Sequence, residues 1–161
     1  MPNAISNTSP LVYLHRIDKL HWLSQLFDSV WTPPAVVVEL REGLQRGYDV
    51  PSPDKYEWLE VVTPRQAPSE WFALDLGAGE IATMSLALEN REQIVILDDA
   101  LARHVAHAAG LHVWGTLRVL LTAKNQGLTE TIAPHVIRLR ESGMWISDEV
   151  QHRILRLAGE R

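Results

Sequence analysis

The chain has 161 residues, of which 46% are hydrophobic and 22% charged, and its formal net charge at pH 7 is −5. A chain of this length and composition is expected to fold as one globular domain, residues 1–161, and is neither disordered nor fibrous. It contains no cysteine, which excludes disulfides, thiolate zinc sites and cysteine nucleophiles.

Residues 1–69 are predicted to contain three strands and three helices. The pairs Ser9-Pro10 and Thr32-Pro33 each combine a favourable helix N-cap with proline at the first helical position. Residues 45–57 hold a glycine, two prolines and several charges, and are predicted to form a loop. In chain order the elements are the strand Ala4–Asn7, a helix from Pro10 to about Ile17, the helix His21–Leu26, the strand Ser29–Thr32, the helix Ala35–Leu44 and the strand Trp58–Thr63.

Residues 70–161 continue the alternation of helix and strand. Gly110 and Gly127 are predicted to end two helices, and Ser147 is predicted to cap the last one. In chain order the elements are the helix Glu80–Glu89, the strand Ile94–Leu97, the helix Ala100–Ala109, the strand Leu111–Trp114 and the helices Thr116–Asn125, Pro134–Glu141 and Asp148–Leu157. This order predicts an α/β fold around a mainly parallel sheet.

The charge distribution and the N-terminus bear on partners and location. The negative net charge argues against a general nucleic-acid-coating surface, although the acidic residues concentrate in residues 1–99 while residues 100–161 carry a net positive charge. This asymmetry fits either an acidic site beside a basic region or ordinary surface variation. No apolar run approaches the roughly 18 residues of a membrane span, and the start of the chain lacks a secretory signal. We expect a cytoplasmic protein without a membrane partner.

Five side chains with oxygen ligands fall at the predicted strand ends and helix starts. Asn7 ends the first strand, Asp98 and Asp99 follow the strand Ile94–Leu97, and Glu39 and Glu80 lie in helices. In an open parallel sheet the ligand crevice lies beyond the carboxyl ends of the strands. These residues are therefore candidates for one common site.

Each acid also has an ordinary structural explanation. Glu39 lies between valines and a leucine and needs a partner or a water-facing edge, and its ordinary interpretation is a solvent-facing glutamate. Glu80 suits the dipole of a helix N-terminus, and Asp98-Asp99 suit an N-cap with a first-turn acid. Taken together they suit a site for Mg²⁺ or Mn²⁺, which prefer oxygen ligands. Such ions activate water and neutralise charge on a scissile phosphate.

Short motifs distributed along nearly the whole chain resemble one family, the PIN domains, and more narrowly their PIN-like branch related to VapC-type toxins. The motifs are Asn7-Thr8-Ser9-Pro10-Leu11, Pro34 with Glu39-Leu40, Gly77-x-Gly79-Glu80, Val95-Ile96-Leu97-Asp98-Asp99 with Arg103 and Ala106, Gly115-Thr116-Leu117, Ala123-Lys124, Gly127-Leu128 and Ala158-Gly159-Glu160. The resemblance implies a three-layer α/β/α fold with a central, mainly parallel sheet. It also implies a Mg²⁺- or Mn²⁺-dependent ribonuclease, plausibly the toxin of a toxin–antitoxin pair, with RNA as substrate. The further partners expected are a small antitoxin protein and a second copy of the chain in a homodimer.

The family's site roles map onto five residues of this chain. The resemblance assigns the first-strand position to Asn7, the second acid to Glu39, the third to Glu80 and the fourth to Asp98 or Asp99. The four acids would hold the metal, and Asn7 would complete the catalytic set.

Substrate contacts are expected from two hydroxyls and two cations, Thr8, Ser9, Arg103 and Lys124. Active members of the family usually carry aspartate at the first-strand position, whereas Asn7 offers a metal only a neutral carbonyl oxygen. The alternative function is therefore a catalytically weak PIN-like module that binds protein or RNA.

Three other patterns in the sequence suggest different functions. Residues 77–82 match the G-x-G-x-x-A form of a dinucleotide fingerprint, with Trp71–Leu76 as the preceding strand. His104 and His107 are spaced to share a metal on one helix, but no third ligand is evident. Six tryptophans raise the hypothesis of stacking on single-stranded nucleic acid. Three of them, Trp22, Trp31 and Trp58, lie in apolar segments and are better explained as core residues.

Overall fold

The structure, a computed structural model, describes residues 2–160 and has a five-stranded parallel sheet at its centre. The strands are β1 (Ala4–Ser6), β2 (Val30–Thr32), β3 (Leu59–Val61), β4 (Ile94–Ile96) and β5 (His112–Trp114). Their order in the sheet is β3-β2-β1-β4-β5. In register, Ala4 lies opposite Val30 on one side and Ile94 on the other. The strand order reverses between β1 and β4, and a ligand crevice is expected at such a switch point.

Helices cover both faces of the sheet. They are α1 (Thr8–Arg16), α2 (Trp22–Leu26), α3 (Pro34–Gln45), α4 (Ala78–Leu88), α5 (Ala100–Ala108), α6 (Thr116–Asn125), α7 (Ala133–Glu141) and α8 (Asp148–Leu157). Short 3-10 helices span Pro53–Lys55 and Ser69–Ala73. The predicted bounds of α6 and α8 are reproduced, and the other helices agree with their predictions to within a turn. The predicted α/β class with a central parallel sheet is confirmed.

One apolar cluster lies on each face of the sheet, between the sheet and the helices that cover that face. Two clusters form because successive residues of a strand point to opposite faces. On one face, Ala4 and Ile96 pack with residues of α1, α2, α6, α7 and α8. On the other, Ile5 and Val95 pack with α4 and α5. Fully burying a leucine- or methionine-sized side chain contributes about 1.5–3 kcal/mol, so the two clusters hold the sheet between two helical layers.

The predicted N-caps of α1 and α3 are wrong. Asn7, not Ser9, is the N-cap of α1, and Pro33, not Thr32, is the N-cap of α3. Pro10 therefore lies in the first turn of α1 rather than at its start. Amides of the first turn have no partner within the helix, so a proline there costs no hydrogen bond. Thr32 instead ends β2, and its hydroxyl donates to the Ser6 carbonyl at 2.9 Å.

The dinucleotide fingerprint lacks its structural context. The strand considered at Trp71–Leu76 is not formed: residues 71–73 belong to the 3-10 helix Ser69–Ala73, and residues 74–76 are in no strand. No strand therefore leads into Gly77 and Gly79. Trp22 is buried and its ring meets His135 edge-on at 5.2 Å, as the core interpretation predicts. Within residues 2–160, no helix combines the length and the apolar character needed to cross a membrane.

Candidate active site

Asn7 lies at the switch point of the sheet, directly after β1. Its backbone N–H donates to the Ile96 carbonyl of β4 at 3.1 Å, and the residue is 3% exposed. Although Asn7 is the N-cap of α1, its side chain makes no capping hydrogen bond. Within the described part of the chain, its buried Oδ1 has no hydrogen-bond partner. A buried unpaired acceptor costs about 1–3 kcal/mol, so this oxygen is available to a cation or a water.

Glu39 is half-buried and reaches from α3 to two distant segments. The Thr8 hydroxyl donates to its Oε1, and the Gly79 amide donates to its Oε2 at 3.0 Å. A Cβ on Gly79 would lie 2.5 Å from Oε1 and 2.9 Å from Oε2 of this carboxylate. The glycine therefore leaves the space that the Glu39 carboxylate fills, which gives the Gly77-x-Gly79-Glu80 motif a physical reason.

Glu80 lies in the first turn of α4, where its Oε1 accepts from the Gly77 amide at 2.8 Å. Burial raises the pKa of Glu80, the Gly77 hydrogen bond opposes this, and repulsion from Asp99, Glu39 and Asp75 raises it further. The three predicted acids Glu39, Glu80 and Asp99 thus share one electrostatic environment. Asp75 was not among the predicted site residues, because nothing in the loop before α4 marked it as a candidate.

Asp98 follows β4 and is tied to the start of α6. The Thr116 amide donates to its Oδ1 at 2.8 Å and the Thr116 hydroxyl to its Oδ2 at 2.6 Å. Burial raises the pKa of Asp98, while these hydrogen bonds and the positive charge of Arg103 lower it. Arg103 itself donates to the Leu97 carbonyl at 3.2 Å. Thr116 was not assigned a site role, although the motif Gly115-Thr116-Leu117 contained it.

Asp99 differs from its neighbour in exposure and in function. It is exposed, it is the N-cap of α5, and its Oδ2 accepts from the Ala102 amide at 2.9 Å. The expected cap therefore belongs to Asp99, and α5 has no acid in its first turn. The cap uses one oxygen of Asp99, and the other is left for a ligand.

Of the remaining predicted contact residues, Thr8 and Ser9 lie at the start of α1 and Lys124 lies near the end of α6. Thr8 touches Glu39, and Ser9 is half-buried in the first turn of α1. Lys124 lies eight residues beyond Thr116 on α6, roughly 12 Å along the helix axis. Its ammonium donates to Glu160 Oε2 at 2.9 Å and to the Ala158 carbonyl. The structure therefore does not bring Lys124 to the acids but engages it in holding the C-terminal segment.

The donor set fits a hydrated hard cation rather than a closed protein cage. Within residues 2–160, no three His, Asp or Glu side chains are arranged to hold a metal directly. Both oxygens of Glu39 and of Asp98 already accept protein hydrogen bonds. Among the described residues, no donor is seen for the second oxygen of Glu80, the second oxygen of Asp99 or Oδ1 of Asn7. Mg²⁺ usually retains several waters and needs only one or two carboxylates, so these oxygens suit it.

The sequence matches, over residues 3–160, the family model described as "DUF3368: PIN domain". The chain belongs to the PIN-domain family. A similar solved structure is that of a PilT N-terminus domain protein from the hyperthermophilic archaeon Sulfolobus solfataricus P2. The two chains are 12% identical with a TM-score of 0.51, and the match covers 75% of this chain and 92% of the other. A comparison with curated proteins gave no significant match. PIN domains are typically metal-dependent nucleases, and PIN-domain nucleases act on RNA.

Proposed function

We propose that this PIN domain is a Mg²⁺- or Mn²⁺-dependent ribonuclease that hydrolyses RNA phosphodiester bonds in the cytoplasm. The observation that carries the proposal is the grouping of Glu39 and Glu80 at the start of α4, where the Gly79 amide donates to Glu39 and the Gly77 amide donates to Glu80. Repulsion from Asp99 and Glu39 accordingly contributes to the raised pKa of Glu80. Carboxylates grouped in this way must bind a cation or tolerate mutual repulsion. Membership of the PIN family supports a nuclease over other uses of such a group.

The protein side chains have distinct roles in this proposal. The bound ion would activate water and neutralise charge on the phosphate. Glu80 and Asp99 would hold it through their free oxygens, with the Asn7 carbonyl as a neutral donor. Thr8 and Gly79 fix the Glu39 carboxylate, and Thr116 fixes Asp98. We further propose that the protein is the toxin of a toxin–antitoxin pair and that it acts as a homodimer inhibited by a small antitoxin. The resemblance of its motifs to the VapC-related branch is the support for this role.

A catalytically weak binding module is the second candidate, and Asn7 is the observation that favours it. A carboxylate at this position would attract a divalent cation more strongly than an amide dipole does, particularly at a site shielded from water. In addition, all four oxygens of Glu39 and Asp98 are engaged in internal hydrogen bonds. The same fold would then bind RNA or protein without cutting.

Two substitutions separate these functions when cleavage of single-stranded and structured RNA is measured with Mn²⁺ and with EDTA. Glu80→Gln removes a proposed ligand charge, and Asn7→Asp restores the acid typical of the family. Glu42→Gln is the matched control, because Glu42 is exposed and lies one turn further along α3 from Glu39.

The outcomes are distinct. Metal-dependent cleavage by the wild type that Glu80→Gln abolishes and Glu42→Gln preserves supports the ribonuclease. Cleavage that appears only after Asn7→Asp supports the binding module with an incomplete site. Absence of metal-dependent cleavage in every form would remove the nuclease proposal.

A further inference from the structure

A cavity of about 570 Å³ adjoins Asp98 at the β5 edge of the sheet. It is bounded by α5, by the start of α6 and by α8 with the segment that precedes it. Asp98, Arg103 and Gly115 are among its lining residues, and Asp98 is also part of the candidate active site. A Cβ on Gly115 would collide with the Arg103 guanidinium, so this glycine lets the guanidinium lie beside Asp98. The cavity therefore meets the acidic site at Asp98.

The cavity wall is cationic although the protein as a whole is acidic. Three arginines, Arg103, Arg118 and Arg153, line it, and Asp98 is the acid among the lining residues. The Arg118 guanidinium lies 4.7 Å from the centre of the Trp114 ring. Arg153 approaches Glu149 at 3.5 Å in an exposed pair along α8, and such pairs are worth little because water and salt screen them. The guanidinium groups are thus available to an anionic ligand.

An aromatic ring stands at the mouth of this cavity. Trp145, in the segment between α7 and α8, lines the cavity and is 84% exposed. Leu157 of α8, on the same wall, is 65% exposed. Trp22 and Trp71, by contrast, are buried in the core. Trp145 therefore places an exposed aromatic ring on the same cavity as the arginine side chains.

We propose that this cavity is a subsite for an unpaired nucleotide of the RNA, with its base stacked on Trp145 and its phosphates held by Arg118 and Arg153. The proposal rests on the proposed ribonuclease function and specifies single-stranded RNA as its substrate. An exposed aromatic ring combined with guanidinium groups is how proteins bind single strands without reading their sequence. Because Arg103 and Asp98 also line the cavity, a neighbouring phosphate of the same strand would lie close to the acidic site. The cationic lining and this proximity favour RNA over a protein partner.

The test measures binding rather than cleavage, so that it does not depend on catalysis. The probe is a fluorescently labelled oligouridine, bound to the full chain in EDTA and followed by anisotropy, with the same strand in a duplex for comparison. Trp145→Ala is expected to weaken binding roughly five- to 150-fold, the range that loss of one base–aromatic stack produces. Trp145→Phe should retain most of the affinity. Arg118→Gln and Arg153→Gln should weaken binding and reduce its salt dependence.

Matched controls lie on other surfaces of the protein. Phe72→Ala removes another exposed aromatic, 68% exposed in the segment before α4, and Arg41→Gln removes an exposed arginine that pairs with Asp54. Neither should change RNA affinity. Because Trp145 is 84% exposed, thermal melting should show that Trp145→Ala folds like the wild type.

Several results would overturn the subsite. These are unchanged affinity in Trp145→Ala, equal binding of the single strand and the duplex, or an equal loss in Phe72→Ala. Self-association that Trp145→Ala abolishes, with RNA affinity unchanged, would reassign the cavity to contact between copies of the chain. The proposed function can fail separately, since a protein that never cleaves but binds RNA through Trp145 keeps this inference. If Trp145→Ala leaves both RNA cleavage and RNA binding unchanged, the nucleotide subsite is discarded.

Discussion

Replacing Gly79 by alanine tests how the candidate site is assembled. The three heavy atoms nearest to a Cβ at this position all belong to Glu39, at 2.5, 2.9 and 2.9 Å. Glu39 must therefore move, and the hydrogen bond from the Gly79 amide to its Oε2, now 3.0 Å, is lost or strained. Because α3 carries Glu39 and α4 begins next to Gly79, this bond joins two helices across the acidic site.

The magnitude follows from two opposing terms. A hydrogen bond to a charged group contributes about 1.5–3 kcal/mol, whereas replacing a helical glycine by alanine gains about 0.5–1 kcal/mol. The expected net loss is about 1–2 kcal/mol, which lowers the melting temperature of a chain of this size by roughly 2–8 °C. Metal-dependent cleavage should fall as well, since the Glu39 carboxylate is displaced.

A double-mutant cycle isolates this cause. In a Glu39→Ala background the atoms that the new Cβ would meet are gone, so Gly79→Ala should become neutral or stabilising by about 0.5–1 kcal/mol. In a Glu42→Ala background, where the removed side chain is exposed on the same helix, Gly79→Ala should destabilise as it does in the wild type. Chemical denaturation measures the free energy of unfolding of each variant in the cycle. Equal effects of Gly79→Ala in the Glu39→Ala and Glu42→Ala backgrounds would refute this account of Gly79.

Three further predictions concern charge. Glu80→Gln can keep the capping hydrogen bond but removes repulsion with Asp99, so without metal it should melt no lower than the wild type. Mn²⁺ should then raise the melting temperature of the wild type more than that of Glu80→Gln; equal shifts would count against Glu80 as a ligand. Burial would raise the pKa of Glu160, but hydrogen bonds from the Ile132 and Ala133 amides and from Lys124 outweigh it and lower the pKa below the ordinary 4.5. The stability that these interactions contribute is present above pH 4.5 and is lost as the pH falls through the lowered pKa. Glu160→Gln should therefore destabilise the protein near neutral pH and match the wild type in acid. Chemical denaturation of both proteins at neutral pH and at a pH below this pKa measures the difference. Arg103→Gln should weaken RNA binding most at low salt, and affinity unchanged at low ionic strength would remove Arg103 from the substrate path.

Local chemistry explains how much of the architecture was predictable. The spacing of apolar residues and the glycines after helices depend on neighbours in the chain, and the predicted bounds of α6 and α8 match the structure. The positions of Asn7, Asp98 and Asp99 after β1 and β4 follow from the same local patterns. The predictions of the N-caps of α1 and α3 are wrong because a proline is tolerated throughout the first helical turn. A proline therefore does not fix which residue before it is the N-cap.

Contacts between distant segments required the tertiary structure. Glu39 accepts hydrogen bonds from Thr8 and from Gly79, which lie 31 and 40 residues away in the chain. The local sequence shows only a glutamate among valines and two glycines before a helix. Which groups meet depends on the order of the strands and on the packing of α3 against α4, and neither is encoded within one segment.

The same distinction applies to the polar atoms of the site. Sequence alone identified Asn7 as a departure from the family's usual aspartate, because residue type is a property of one position. Only the tertiary structure shows that its Oδ1 is buried without a partner and that Trp145 stands exposed beside a cationic cavity. Burial and pairing are properties of the surroundings, and those surroundings are contributed by elements far apart in the chain.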